Sequence, residues 1–137
     1  MKQYEYLSHT ADIKVRAYGK TLEKAFKNSA YALTDIITDH TKIKKSVEKK
    51  IKVESENPEA LLYDFLEQFL ILLDSEGFLL AEIKELKINN LKLTATIAGD
   101  THPEKYETKT HIKAITYQEM QIKKEKDIYT IQFVPDI

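Results

Sequence analysis

The chain contains no cysteine. Disulfides and thiolate metal sites are therefore excluded, and the absence agrees with a reducing compartment. It also lacks an excess of charge. The 21 lysine and arginine residues stand against 22 acidic ones, for a net charge of -1 over 137 residues. That balance argues against bulk binding to nucleic acid through an overall positive field. Arginine is nearly absent, with Arg16 the single instance. Apolar runs such as residues 69–73 fall far short of the roughly 20 residues that cross a bilayer. The start MKQYEY has no apolar stretch of the kind a secretory signal carries. A cytoplasmic location and no membrane partner are the expectation.

What is present reads as one domain over residues 1–137. A chain of that length can withdraw roughly two-thirds of its unfolded surface from water. Ile13, Val15 and Ala17 alternate with Lys14, Arg16 and Tyr18, the pattern of a half-buried strand. Past Gly19, Leu22, Ala25, Phe26, Ala30, Leu33, Ile36 and Ile37 recur at helical spacing, with Thr21 as N-cap. A second helix starts at Asn57-Pro58-Glu59: a capping asparagine, a proline at the first helical position and an acid at the positive end of the dipole. Its apolar stripe is Leu61, Leu62, Phe65, Leu66, Phe69 and Leu73, and Gly77 is placed to end it.

Between the helices, residues 42–54 predict a strand. Beyond them the pattern is all strand, with a hairpin turn at Asn89-Asn90 and a last hairpin across residues 124–127. The order β-β-α-β-α-β-β-β-β-β predicts an α+β domain, two helices packed on a mostly antiparallel sheet. Residues 99–111 have no apolar period, which in a compact domain marks a functional or mobile segment.

Several residue sets carry candidate chemistry. Ser8, His9 and Asp12 resemble a triad by composition, but Ser8 and His9 point to opposite faces of a strand and no strained nucleophile turn surrounds the serine. The spacing of His9, His40, His102 and His111 fits no zinc pattern. The run KIKKSVEKKIKV offers lysines to phosphates, yet it holds no aromatic for base stacking and equally suits a solvated edge strand. Asp12 and Asp136 both face away from apolar neighbours. If the first and last strands adjoin, their carboxylates converge with the α-carboxylate expected at Ile137. Three like charges need a cation or strong donors between them, and all-oxygen ligands select a hard cation, calcium first. The bland alternatives are an ion pair of Asp12 with Lys14 or Arg16, and a frayed end at Asp136. Lys113 shares the alternation of Ile115 and Tyr117, so it either reaches out to solvent or meets an anion.

Three stretches together resemble the archease family: HTADIKVRAYGKTLEKAF at the front, IKAITYQEM near the back, and the final PDI. The likeness covers essentially the whole chain in the family's order. It implies a protein cofactor and no enzymatic activity of its own. The partner it implies is the GTP-dependent RNA ligase that joins tRNA exon halves, with tRNA met only through that ligase. Such a protein promotes guanylylation of the ligase's active-site histidine, allows repeated turnover and broadens the nucleotide accepted. It also implies calcium or another hard divalent cation at Asp12, Asp136 and Ile137, and a functional Lys113. Gly99-Asp100 stands where the family often has Gly-Glu, which keeps the charge. Gln118 stands where a histidine is common, which argues against a proton-transfer role there. Two other classes remain open from the residues alone: a stand-alone metal-dependent phosphohydrolase, and an RNA-binding chaperone using residues 42–52 and the 99–111 segment.

Overall fold

The alternating and helical periods resolve into an α+β architecture in the computed structural model of the chain, which describes residues 1–9 and 12–137. The elements run β1 (Tyr4–His9), β2 (Asp12–Gly19), α1 (Leu22–Ile37), β3 (Val47–Glu54), α2 (Pro58–Glu76), β4 (Leu79–Asn89), β5 (Lys92–Asp100), β6 (Gln121–Glu125) and β7 (Ile128–Phe133). The strands form two antiparallel sheets. One has the order β1-β2-β7-β6 and so joins the two ends of the chain; the other has the order β3-β5-β4.

Both helices begin as their sequences dictate. The Thr21 hydroxyl accepts the Lys24 N–H at 3.1 Å, and the Asn57 side chain accepts the Ala60 N–H at 2.8 Å. Helix α2 ends on Gly77 at φ 67°, where the Gly77 and Phe78 N–H groups close back onto Leu73 and Leu72. Helix α1 packs on β2 and β7 of one sheet and on β4 of the other, and small residues let it approach both. Ser29 and Thr34 lie buried on it because their hydroxyls donate to the carbonyls of Ala25 and Ala30. The common core runs through Phe26, Leu33, Phe65, Phe78, Ile97, Ile131 and Phe133. Each such side chain contributes about 1.5–3 kcal/mol by leaving water.

The structure departs from the sequence expectation in four places. The strands divide between two sheets. The predicted strand over 42–54 begins only at Val47, after a 3-10 turn at His40–Lys42. The β4–β5 turn is Asn90-Leu91, one residue later than expected, since Asn89 still pairs with Lys92 and Asn90 takes φ 59°. The segment around Lys113 is no strand: it makes one isolated bridge, between Ala114 and Asp136, and Ile112 and Ile115 are its buried residues. A spacing of three does not suit the period of two on which the expected alternation rested.

Of residues 99–111, expected to be functional or mobile, 99 and 100 close β5, and the rest is tied down by polar bonds together with the packing of Tyr106 against the core. The Tyr106 hydroxyl donates to Asp100 at 2.6 Å and accepts the Lys44 N–H at 3.0 Å. The Thr38 hydroxyl donates to the Glu107 carbonyl at 2.7 Å, and the Lys109 N–H donates to the Ile37 carbonyl at 2.7 Å. Asp100 is buried, and the Tyr106 hydroxyl bond holds its carboxyl below the usual carboxylate range.

Candidate functional site

Of the four residues singled out, Lys113 and Asp136 meet beyond the end of β7, while Asp12 opens β2, the strand that pairs with β7. Past Phe133, the chain runs on through Val134 and Pro135 to Asp136, which pairs with the 113–114 segment. The Lys113 N–H donates to the Asp136 carbonyl at 2.7 Å, and the Asp136 N–H donates to the Ala114 carbonyl at 2.9 Å. The Thr116 hydroxyl adds a bond to the Val134 carbonyl at 2.6 Å. These bonds replace the frayed end that the sequence left open. On the other flank, β2 sets Val15 opposite Phe133. The β2–β7 pairs run from Gly19–Tyr129 to Val15–Phe133, and Asp12 opens β2 three residues before Val15. Asp136 stands against the backbone of Lys113 and Ala114. The side chains of Lys113 and Asp136 are exposed, while Asp12 and Ile137 are half-buried. Thr10 and Ala11 of the HTAD stretch lie outside the described residues.

No ion pair among the described residues engages Asp12, Asp136 or Lys113. The two basic neighbours proposed as partners for Asp12 are committed elsewhere. Lys14 bonds Glu119 at 3.0 Å, and the Arg16 Nε donates to the Gln132 side-chain oxygen at 2.9 Å. The donors available at this end are carboxylate oxygens. That set suits calcium or another hard divalent cation and disfavours soft metals.

Glu119 is the residue that sequence reasoning missed. It occupies a turn at φ 54°, and its carboxylate is gripped by the Lys14 ammonium and by His9 Nε2. Lys14, and after it His9, holds the carboxyl below the usual carboxylate range. The Gln132 amide nitrogen donates to the Glu119 carbonyl at 2.9 Å. A continuous polar line therefore runs from β2 through β7 into the 117–120 turn. Alternation along β7 would put Gln132 on the face opposite Ile131 and Phe133, yet it is buried too, because residues 131–135 are enclosed on both faces. Ser8 has no part in this: His9 turns to Glu119, which leaves the triad without a base.

A second cluster lies at the C-terminal end of α1. One ligand atom each of Asp35, Asp39 and His40 lie within 4.8 Å of one another. Their atoms are already occupied. The His40 ring and N–H bond one Asp35 oxygen at 2.7 and 2.9 Å, the Tyr4 hydroxyl bonds the other, and Asp39 accepts from Thr41. Burial raises the Asp35 carboxyl, but the His40 and Tyr4 bonds outweigh it and the net direction is down. The cluster fastens β1 and the end of the helix together. The remaining histidines scatter: His102 sits 3.5 Å from Glu104, and His111 is exposed.

The basic run resolves as a solvated edge. Strand β3 is one of the two edge strands of its sheet, Lys50 and Lys52 are exposed, and Lys45 pairs with Glu82 at 3.0 Å. No helix among the described residues is long and apolar enough to cross a membrane.

Comparison with known proteins adds a family. A model described as the Archease protein family matches residues 4–137. Protein archease of Pyrococcus furiosus is 46% identical over 142 aligned positions, and that of Thermococcus kodakarensis 44% over 142, each alignment covering 100% of both chains. The solution structure of protein 1598 of Methanobacterium thermoautotrophicum superposes with a TM-score of 0.85 at 31% identity, over 100% of each chain. A crystal structure from Thermotoga maritima, described as an archease and possible chaperone, gives a TM-score of 0.66 at 22% identity, over 96% of this chain and 94% of that one. This last likeness is one of fold.

Proposed function

The chain belongs to the archease family, and we propose from that premise that it is the activating protein cofactor of the GTP-dependent tRNA-splicing RNA ligase. Its work is to promote guanylylation of the ligase's active-site histidine, and so to permit repeated turnover and a wider choice of nucleotide. It meets tRNA only through the ligase. The observation that supports the reading is the seating of Asp136 against the Lys113 backbone, with Asp12 at the start of the strand that pairs with β7.

Calcium or another hard divalent cation, held by Asp12, Asp136 and Ile137, would supply positive charge beside phosphate oxygens. The chain's own residues contribute position. Asp12 opens a paired strand and Asp136 is bridged to Ala114, so little backbone freedom is lost when a partner engages them. The exposed Lys113 ammonium either offsets the two carboxylates or reaches a phosphate. The nucleophile belongs to the ligase. Alignment of its histidine with the nucleotide lowers the barrier through proximity and fixed charge.

Transfer of radiolabelled GMP from GTP onto the ligase tests this. Asp12→Ala, Lys113→Ala and Asp136→Ala should each cut the stimulated rate at least about tenfold, as loss of a fixed charge at a reacting phosphate does. Three variants that remain folded and stimulate like wild type would refute the site. Incubation of the protein alone with calcium and phosphoesters should give no turnover.

A further inference from the structure

Tyr117 follows Lys113 by four residues, and its ring is 55% exposed. It lies flat on Tyr63 of α2, with ring centroids 4.5 Å apart and planes 14° from parallel. An exposed aromatic normally turns to shed surface. Here the stack holds the outer ring in place and presents its face to solvent. Tyr63 is followed on α2 by Asp64, and Glu67 stands one turn further along the same flank. Both carboxylates act on the Tyr117 phenol: burial first, then Asp64, Tyr63 and Glu67, raise it above its ordinary value. Asp64 accepts the Ser55 hydroxyl at 2.6 Å, whereas Glu67 joins no ion pair among the described residues. Ile71, 47% exposed, continues that flank by another turn.

We propose that the Tyr63–Tyr117 pair with Glu67 and Asp64 is the seat for a basic side chain, an arginine guanidinium above all, on the surface of a protein partner. On the functional reading above, that partner is the ligase. A guanidinium lies flat on an aromatic face and turns its N–H edge to a carboxylate, and this platform offers both. Nucleic acid would also stack on an exposed tyrosine, but phosphates would then meet two uncompensated carboxylates, so the charge selects a cation. The platform also adjoins the candidate site. Thr116, next to Tyr117, holds the Val134 carbonyl, two residues before Asp136. A partner anchored on the tyrosines is therefore brought to the strip bearing Lys113 and Asp136. Aromatic and arginine anchors of this kind carry a large share of binding at interfaces.

The test uses the full chain and the purified ligase. By calorimetry, Tyr117→Ala should weaken binding about tenfold or more, Glu67→Lys by a similar factor, and Tyr117→Phe by about twofold or less. At saturating excess, Tyr117→Ala should recover the wild-type rate of GMP transfer, whereas Asp136→Ala should stay slow with unchanged affinity. Wild-type affinity in Tyr117→Ala, or tighter binding by Glu67→Lys, overturns the proposal. So does a Tyr117→Ala effect confined to binding of a single-stranded RNA oligonucleotide. If wild type neither binds nor stimulates the ligase, the functional reading fails. The seat is then judged by the Tyr117 ring resonances during titration with an arginine-containing peptide: a saturable shift, reduced in Glu67→Lys, supports it, and no shift overturns it.

Discussion

The three-stranded sheet keeps its charges at its borders, whereas the four-stranded sheet carries polar groups through its middle. In the first, Lys45–Glu82 and Lys84–Glu48 join side chains that are largely exposed. Pairs of that kind contribute about 0–1 kcal/mol and fix little. In the second, Arg16, Gln132, Glu119 and Lys14 are bonded in series from β2 across β7 to the 117–120 turn. The middle member of the series, Gln132, is buried and is satisfied in one register only, so it locks the alignment of β2 with β7. That alignment fixes where the chain leaves β7 toward Asp136. The border charges serve solubility, and the line through Gln132 serves position.

The largest effect should come from what the two sheets share. Phe65 is fully buried and lies 5.7 Å from the Phe26 ring and 5.1 Å from the Phe69 ring. Phe65→Ala should cost about 3–5 kcal/mol in urea unfolding. Near- and far-ultraviolet signals should fall together, and two separate transitions would mean that the sheets are independent bodies. Gln132→Leu comes next and sharpens the contrast. It keeps the volume roughly and removes both bonds, leaving the Arg16 guanidinium and the Glu119 carbonyl without their partner, at about 1–3 kcal/mol. On the proposed function, ligase guanylylation should fall with it. Lys52→Gln on the edge of the other sheet should stay within about 0.5 kcal/mol and leave function intact. Equal effects of these two substitutions would dissolve the distinction.

A more modest effect than that of Gln132→Leu concerns the segment that leads from one sheet to the other. Tyr106→Phe removes the bonds to Asp100 and to the Lys44 N–H and should cost about 1 kcal/mol near neutral pH. The folded Asp100 carboxyl titrates below its unfolded value. Its contribution is therefore present above the ordinary carboxylate range, about pH 4, and is lost as pH falls through the folded value. The stability gap between wild type and Tyr106→Phe should accordingly narrow on the acid side. A gap that widens there would show that the carboxylate is not the acceptor that matters.

Both helices were legible to within a residue because their signals are local: Thr21 and Asn57 as caps, Gly77 as the stop, and apolar stripes between them. The division into two sheets was not. Alternation tells which residues share a face and is silent on which strands meet. Alternation also failed where both faces are enclosed, as around Gln132, and where the chain is no strand, as between Ile112 and Ile115. Asp12, Asp136, Ile137 and Lys113 were picked out by their motifs, and the seating of Asp136 against the Lys113 backbone emerged only in the fold. Glu119 had no local signal at all. A glutamate in a turn is ordinary until Lys14, 105 residues earlier, arrives beside it. Tyr63 was passed over in the same way, since its partner lies on another segment.

Val15 and Phe133 meet across about 118 residues of chain. Closing so wide a loop is slow, while the β4–β5 hairpin and the helices can form from near neighbours. During refolding, helical signal should therefore mature early, and the strand signal of the β2–β7 pairing, on which the path of the chain to Asp136 depends, should mature later.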